Sequence, residues 1–256
     1  MLNMSTKEVK EISSAWNDLG KSDPLWAVLS DREKRNRRWN ADEFFKTGEE
    51  VVGRYVRLIR DHAGINPPFG RVLDFGCGVG RLARAWAGYA EKVCGVDVAQ
   101  SMIEGARKYN EGLVQIDFFV NEQSDLSLFE DHAFDVVASH ICLQHMSWSV
   151  AEKYIREFAR VCKPGGVVLF QLPTRWLKCD WKSKIRQGLV DALPFGLGRR
   201  YRLWRHGTAT TYEFHCTPLE VVEQAIRSCG MQLLHKDPDT SAGPLVESFV
   251  FVLKKP

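Results

Sequence analysis

An acidic residue followed by three alternating glycines is the feature of this chain with the clearest chemical consequence. Residues 71–82 read RVLDFGCGVGRL, with Asp74 closing an apolar run and glycine at positions 76, 78 and 80. Glycine adopts positive φ freely and leaves backbone N–H groups uncovered. Helical spacing after the turn predicts a helix N-terminus facing the same point. The segment therefore predicts a ligand-binding strand–turn–helix unit.

Two classes of ligand use this geometry, dinucleotides and S-adenosylmethionine. The dinucleotide pattern G-x-G-x-x-G/A requires a small residue where this chain has Arg81. A carboxylate at Asp74 would repel a pyrophosphate, whereas it suits the ammonium of a methionyl group. The residues favour S-adenosylmethionine, and we expect the protein to bind it or its product S-adenosylhomocysteine and to ignore NAD(H).

A second acid lies where a ribose would be bound. Residues 91–98 predict a strand that carries Asp97 at its tip, 17 positions beyond Gly80. An acid about 20 residues past a glycine turn can accept hydrogen bonds from both ribose hydroxyls. The alternative is that Asp97 only caps the helix starting near Ser101, but the spacing favours ribose binding.

The order of motifs resembles the class I S-adenosylmethionine-dependent methyltransferases. After the glycine turn and Asp97 come apolar residues 116–120, FDVVAS at 134–139, LQH at 143–145 and RVCKPGG at 160–166. The resemblance covers residues 69–172 in order and spacing, and the C-terminal part more loosely. A lone Gly-x-Gly-x-Gly would be weak evidence, whereas the ordered set is specific.

The resemblance implies an α/β fold of three layers, the Rossmann-like methyltransferase fold. Its seven-stranded, mostly parallel sheet would have the order 3-2-1-4-5-7-6, with an antiparallel final pair. We expect residues 1–64 to form a helical cover, with a methyltransferase domain over residues 65–256. Residues 173–211 interrupt the strand–helix alternation and are expected to form an inserted lid.

The turn, the spacing and the resemblance together assign a set of residues to the cofactor. They are Asp74, Gly76, Cys77, Gly78, Gly80, Arg81, Asp97, Val98, Met102, Glu122, Gln123, Ser124 and His140. In the resembled family an acid 12 positions before the Asp of Phe-Asp contacts the adenine amine, and that position here is Gln123. Its amide oxygen can accept from the amine, so Gln123, Glu122 and Asp125 remain alternatives, with Ser124 offering its backbone N–H to the ring.

Two histidines are candidate general bases, His145 and His215. A sulfonium is already an activated methyl donor, so the protein mainly aligns the reactants and removes a proton. Histidine titrates near neutral pH and can take that proton from a hydroxyl. The alternative for His145 is a structural role in the loop after strand four.

The lid expected over residues 173–211 is basic and aromatic. It carries nine Lys or Arg against two acids, interleaved with Trp, Tyr and Phe. This pattern suits a lid over a small anionic molecule, a lipid-headgroup contact, a solvated amphipathic helix or stacking on RNA bases. The lid interpretations are favoured over nucleic acid, and Trp176 and Tyr212 are assigned to the substrate.

Composition narrows the remaining classes. The chain of 256 residues is 45% hydrophobic, enough for a sizeable core, and its net charge of +3 implies no polyanionic partner. Its seven cysteines include no C-x-x-C pair, which argues against a zinc site and fits a reducing cytoplasm. No run of residues is long and apolar enough to span a membrane. The N-terminus carries charges within residues 7–11 and no apolar stretch, so we expect no secretory signal.

The function expected from these features is methyl transfer from S-adenosylmethionine to an acceptor, most simply an oxygen of a small or mid-sized metabolite. One rival is an RNA-modifying methyltransferase that uses the basic aromatic segment, and another is a cofactor-binding module without catalysis. The sequence carries no signal for the identity of the acceptor or for the oligomeric state.

Overall fold

The computed structural model of the chain describes residues 4–177 and 214–256, and a seven-stranded sheet forms its middle layer. The strands are β1 (Phe69–Phe75), β2 (Ala90–Asp97), β3 (Ile116–Val120), β4 (Phe134–Ser139), β5 (Cys162–Trp176), β6 (Gln232–Pro238) and β7 (Val246–Lys254). Their order is β3-β2-β1-β4-β5-β7-β6. The first five strands are mutually parallel, and β7 runs antiparallel to both β5 and β6. The predicted strand order is confirmed.

Helices cover both faces of this sheet. They are α1 (Met4–Ser22), α2 (Pro24–Val28), α3 (Ala41–Ala63), α4 (Arg81–Trp86), α5 (Gln100–Tyr109), α6 (Trp148–Val161) and α7 (Leu219–Ser228), with short 3₁₀ turns at Arg32–Lys34 and Leu143–His145. One apolar core lies between the sheet and helices α6 and α7, and a second lies between the other face and helices α3 to α5. The parallel strands are therefore buried on both faces, as their continuous apolar sequences predict.

Helix α3 shows how local signals set its ends. The Asn40 side chain accepts from the Glu43 N–H at 3.1 Å, and Gly64 ends the helix in the left-handed conformation at φ 71°. Phe44, Tyr55 and others on its inner face are fully buried. Part of the N-terminal region expected as a cover is thus built into the core, and only α1, α2 and the segment after them lie over the edge of the sheet.

Strand β5 runs further than the sequence suggested. Pro173 pairs with Ser248, and Trp176 pairs with Val246, across a register shift that follows Pro173. Proline lacks the N–H of a regular ladder, so it is accommodated at such an irregularity. The lid expected to begin at residue 173 therefore begins inside the sheet, and its residues 178–211 lie outside the described part of the chain.

None of the helices within the described residues is long and apolar enough to cross a bilayer.

Candidate active site

A cavity of about 600 Å³ opens at the carboxyl ends of β1, β2 and β4. Helix α1 covers it on one side, the segment from α2 to Trp39 on another, and Phe214 and the β6–β7 loop complete the wall. Ligands of open α/β sheets bind at this edge, beside the point where the strand order reverses. The cavity is thus the first place to test the predicted site residues.

The glycine turn forms the floor of the cavity. Gly76 and Gly78 line it, and both have positive φ, 74° and 52°. A Cβ built on Gly76 would lie 2.3 Å from Cys142 Sγ, and one on Gly78 would lie 2.7 Å from Val28 Cγ2. Neighbouring side chains and the positive φ thus favour glycine at both positions, and glycine leaves the backbone uncovered where it lines the cavity.

Asp97 at the end of β2 holds this turn in place. Its Oδ2 accepts from the Gly78 N–H and its Oδ1 from the Ala99 N–H, both at 2.9 Å. Burial raises the pKa of Asp97, while these backbone hydrogen bonds act to lower it. A carboxylate offers about four lone pairs and Asp97 lines the cavity, so it can accept a further donor from the cavity side. One carboxylate can thus serve both the cap and a ribose.

A buried acid that does not line the cavity, Asp74, and a buried base that does, Arg81, flank the glycine turn. Asp74 is 1% exposed and Arg81 is 4% exposed, and Arg81 lines the cavity. Asp74 Oδ2 and Arg81 Nε find no hydrogen-bond partner among the described residues. Burial raises the pKa of Asp74 to about 7, opposed by the Arg81 charge, and burial lowers the pKa of Arg81 to about 10. Unsatisfied buried groups of opposite charge suit a zwitterionic ligand.

His140 is held as a neutral ring. Its Nδ1 lies 2.8 Å from the hydroxyl of Tyr55, and only 7% of the residue is exposed. Burial lowers the pKa of His140 to about 3, and the positive charge of Arg81 adds to this shift. So weakly basic a ring suits ligand binding better than proton removal.

His145 also lines this cavity. Its ring contacts Trp16 edge-on at 5.3 Å between centroids and Phe214 at 6.3 Å, and its Nε2 lies 3.3 Å from Gln144 Nε2. His215 does not line the cavity, although its backbone N–H donates to the Gln144 carbonyl at 2.8 Å. Of the two candidate bases, His145 lines the cavity and His215 does not.

Comparisons with known proteins agree with this geometry. A family model for a methyltransferase domain matches residues 72–166. A ubiquinone biosynthesis O-methyltransferase of Chromobacterium violaceum is 33% identical over 160 residues, 62% of this chain and 67% of that protein. The chain belongs to the class I S-adenosylmethionine-dependent methyltransferases.

Other relatives and solved structures fit this family. A protein of the same name from Xanthomonas campestris is 34% identical over 141 residues. The alignment covers 55% of this chain and only 57% of the Xanthomonas protein. The Synechocystis magnesium protoporphyrin IX methyltransferase, solved with bound S-adenosylhomocysteine, superposes with a TM-score of 0.66 at 17% identity, covering 97% of this chain and 100% of that one. A Leishmania major S-adenosylmethionine-dependent methyltransferase gives 0.63 at 12% identity, covering 95% and 83%. These two structures support the fold alone.

Several residues assigned to the cofactor lie away from the cavity of this methyltransferase domain. Met102 is fully buried in the apolar cluster between α5, α1, α2 and the start of α3, because helical periodicity turns it toward α1. Cys77 belongs to the core beneath the turn, and Gly80 packs against Asn110 and Phe118. Met102, Cys77 and Gly80 therefore do not line the cavity, and their assignment to the cofactor stays a prediction without a described contact to support it.

The predicted adenine loop presents a different residue. Asn121 lines the cavity, whereas Glu122, Gln123 and Ser124 do not. The Asn121 side chain closes the loop, accepting from the Gln123 N–H at 3.2 Å and donating to the Asp125 carbonyl at 2.6 Å. Such an Asx turn orients the loop by its own hydrogen bonds, so counting positions back from Asp135 did not locate the residue on the wall.

Trp176, one of the two residues predicted to contact the substrate, does not line the cavity itself. It is 46% exposed, and its ring lies 5.3 Å from the ring of Phe214, which does line the cavity. Tyr212 lies outside the described residues. Phe214, two positions further on, was not singled out by sequence reasoning.

Helix α1, part of the expected N-terminal cover, supplies lining residues that the sequence analysis did not single out. Val9, Ile12 and Trp16 line the cavity at helical spacing. Glu8 accepts from both the N–H and the hydroxyl of Ser147, at 2.6 and 2.7 Å. Beyond Trp16, Asn17 accepts from the Ser101 N–H at 2.9 Å. The amphipathic spacing is visible in the sequence, but these anchors lie far away along the chain.

The turn gives a direct prediction for cofactor affinity. Gly78→Ala should weaken binding of S-adenosylhomocysteine at least about tenfold, because its Cβ is strained at positive φ and meets Val28. Gly53→Ala is the matched control, since its Cβ in α3 would find its nearest neighbour, Arg57 Nη1, at 3.7 Å. Calorimetric titration should show wild-type affinity for the control only. Equal affinity for both variants would mean that the turn does not approach the ligand.

Proposed function

We propose that this chain transfers the methyl group of S-adenosylmethionine to an oxygen of a small or mid-sized metabolite. The observation that carries the proposal is that a single cavity is lined by the glycine turn, by Asp97, by His145 and by the aromatic residues Trp16 and Phe214. The relatives named ubiquinone biosynthesis O-methyltransferases support an oxygen acceptor, although the chain spans only part of their length.

The residues in and around the glycine turn fit S-adenosylmethionine. Asp97 would accept from the ribose hydroxyls, and the uncovered backbone of Gly76 and Gly78 would pass beneath the ligand. The unsatisfied atoms of Asp74 and Arg81 would face the zwitterionic methionyl end, Arg81 the carboxylate from the cavity wall and Asp74 the ammonium from behind it. When bound, the cofactor supplies an electrophilic methyl group on a sulfonium.

The apolar part of the cavity lining fits a largely apolar acceptor that carries a hydroxyl. Its wall is formed by Val9, Ile12, Trp16 and Phe214, with His145 among the aromatic rings. His145 would take the hydroxyl proton as the oxygen–methyl bond forms and the carbon–sulfur bond breaks, leaving S-adenosylhomocysteine. The enclosing rings would hold the two reactants in line and exclude water.

The described residues also bear on metal binding and on location. Within the described residues, no group of three or more His, Cys, Asp or Glu side chains could hold a metal ion. The cysteines described by the structure are free thiols, which suits the cytoplasm that we propose as its location. The basic aromatic segment keeps an RNA substrate as the rival, and a steep salt dependence of RNA binding would support that rival.

One experiment tests the proposal. The purified protein is incubated with methyl-labelled S-adenosylmethionine and, separately, with a metabolite extract, a panel of phenols and anilines, and total RNA. The proposal expects label in an organic-soluble product with a new O-methyl group. Label in RNA or only in N-methyl products would overturn the assigned acceptor, and cofactor binding without labelled product in any fraction would favour a non-catalytic module.

A further inference from the structure

We propose that two buried amides, Gln171 and Gln144, fix the tautomer of His145 so that its Nε2 carries the lone pair. Gln171 lies on β5 outside the cavity and acts through Gln144, so it is a positioning residue. The proposal rests on the proposed function, in which His145 accepts a proton. It adds how the ring is prepared for that step.

The backbone N–H of Ile141 fixes which end of the Gln171 amide is the oxygen, because this N–H can act only as a donor. The backbone N–H of Ile141 points to Gln171 Oε1 at 3.1 Å, and a backbone N–H only donates. The atom facing it must therefore be the amide oxygen. The NH₂ group of Gln171 then faces Ser248 Oγ at 2.6 Å and Gln144 Oε1 at 3.4 Å.

The orientation of the Gln171 amide in turn fixes the orientation of Gln144 and the role of His145 Nε2. Because Gln144 Oε1 accepts from Gln171, the NH₂ group of Gln144 faces His145 Nε2, at 3.3 Å. An amide NH₂ is a donor only, so Nε2 must be the acceptor. In a neutral imidazole the proton then resides on Nδ1, since the hydrogen bonds of one nitrogen decide the state of the other.

The complete burial of Gln171 supports a positioning role for its amide group. The residue is 0% exposed in a strand whose neighbours, Phe170 and Leu172, are buried and apolar. A buried amide adds stability only when its hydrogen bonds are made, and an apolar residue of similar volume avoids that requirement. All three described contacts of the Gln171 amide lead to the cavity loop or to β7. Ile141 has a φ of 53°, a strained value for a β-branched residue, and its N–H is held by Gln171.

A fixed tautomer has a clear use at this site. A general base must offer a lone pair to the acceptor hydroxyl before the proton moves. The contact from Gln144 at 3.3 Å is long for a hydrogen bond, so a hydroxyl can displace it from Nε2 without rotation of the ring. The amides thus keep Nε2 unprotonated in the resting protein.

The test reads the tautomer by NMR, independently of turnover. Protein labelled with ¹⁵N-histidine and saturated with S-adenosylhomocysteine gives ring nitrogen shifts that distinguish protonated from unprotonated nitrogen, and His145 is assigned by the signals lost in His145→Gln. Wild-type protein should show an unprotonated Nε2. Gln171→Met should give a mixture of tautomers, and Gln144→Glu should place a proton on Nε2, because its carboxylate can only accept.

Ser248→Ala is the matched control. It removes a partner of Gln171 but leaves the Ile141 contact that sets the direction of the amides, so the wild-type tautomer should persist. Melting temperature and S-adenosylhomocysteine affinity establish that each variant is folded. A protonated Nε2 in wild-type protein, or an unchanged tautomer in both Gln171→Met and Gln144→Glu, would overturn the proposal.

Turnover separates this proposal from the proposed function. Where an acceptor is methylated, Gln144→Glu should lower kcat at least about tenfold with an unchanged KM for S-adenosylmethionine, and Ser248→Ala should change neither. If no acceptor is methylated, the proposed function fails while the NMR result still decides the tautomer. Normal turnover in a variant whose tautomer is inverted would show that the amides do not prepare a base.

Discussion

Replacing His145 by alanine should lower the turnover of the proposed methyl transfer about 10²–10⁴-fold, the range for loss of a general base. Affinity for S-adenosylhomocysteine should change little, because the proposed cofactor contacts of Gly78 and Asp97 are held by bonds that do not involve His145. The measurement is kcat at saturating cofactor and acceptor, together with a calorimetric titration of S-adenosylhomocysteine. The pattern of lost kcat with retained affinity marks a group that acts in the transition state.

His215→Ala is the control for this experiment. Its described contact with Gln144 is made by the backbone N–H, which the substitution leaves in place. The variant should keep most of its turnover. A large loss in His215→Ala with little loss in His145→Ala would place the base on the substrate side instead. A loss confined to cofactor affinity in His145→Ala would assign that ring to binding, and small losses in both variants would fit an acceptor that needs no base, such as a neutral amine or a thiolate.

The parts of the site that the sequence predicted are those whose residues lie close together along the chain or at a nearly constant spacing. Asp74 and the glycines follow a buried strand within seven residues, 74 to 80, so their meeting at one turn needs no information from the rest of the chain. The position of Asp97 follows from the near-constant length of a strand–helix–strand unit. Both interpretations of Asp97 were open, and the structure shows why: the carboxylate that caps the turn and α5 has lone pairs left for a ligand.

The parts that were missed depend on contacts between distant residues. Helical periodicity in α1 identifies an apolar face, but only the contacts of Glu8 with Ser147 and of Asn17 with Ser101 decide that this face closes the cavity. Gln171 gives no local signal either, since one amide within an apolar strand is equally typical of an exposed edge. Its meaning appears only when β5, β7 and the loop after β4 are in place.

The ribose assignment predicts a specific coupling between ligand and protein. Asp97→Ala should weaken binding of S-adenosylhomocysteine about ten- to hundredfold, as expected for loss of a charged hydrogen-bond acceptor worth about 1.5–3 kcal/mol. The structure adds a complication, because the variant also loses the bonds from the N–H groups of Gly78 and Ala99. Thermal unfolding should therefore show reduced stability, and affinity alone cannot separate a ribose contact from a disordered turn.

A double-mutant cycle with 2′-deoxy-S-adenosylhomocysteine makes that separation, since it removes the hydroxyl from the ligand rather than the acceptor from the protein. In wild-type protein the deoxy ligand should bind about tenfold more weakly, because the hydroxyl that Asp97 would accept from is gone. In Asp97→Ala the two ligands should bind equally, because the partner of that hydroxyl is already absent. If the variant still discriminates between them as strongly as wild type, the ribose is held elsewhere and Asp97 acts only through the turn.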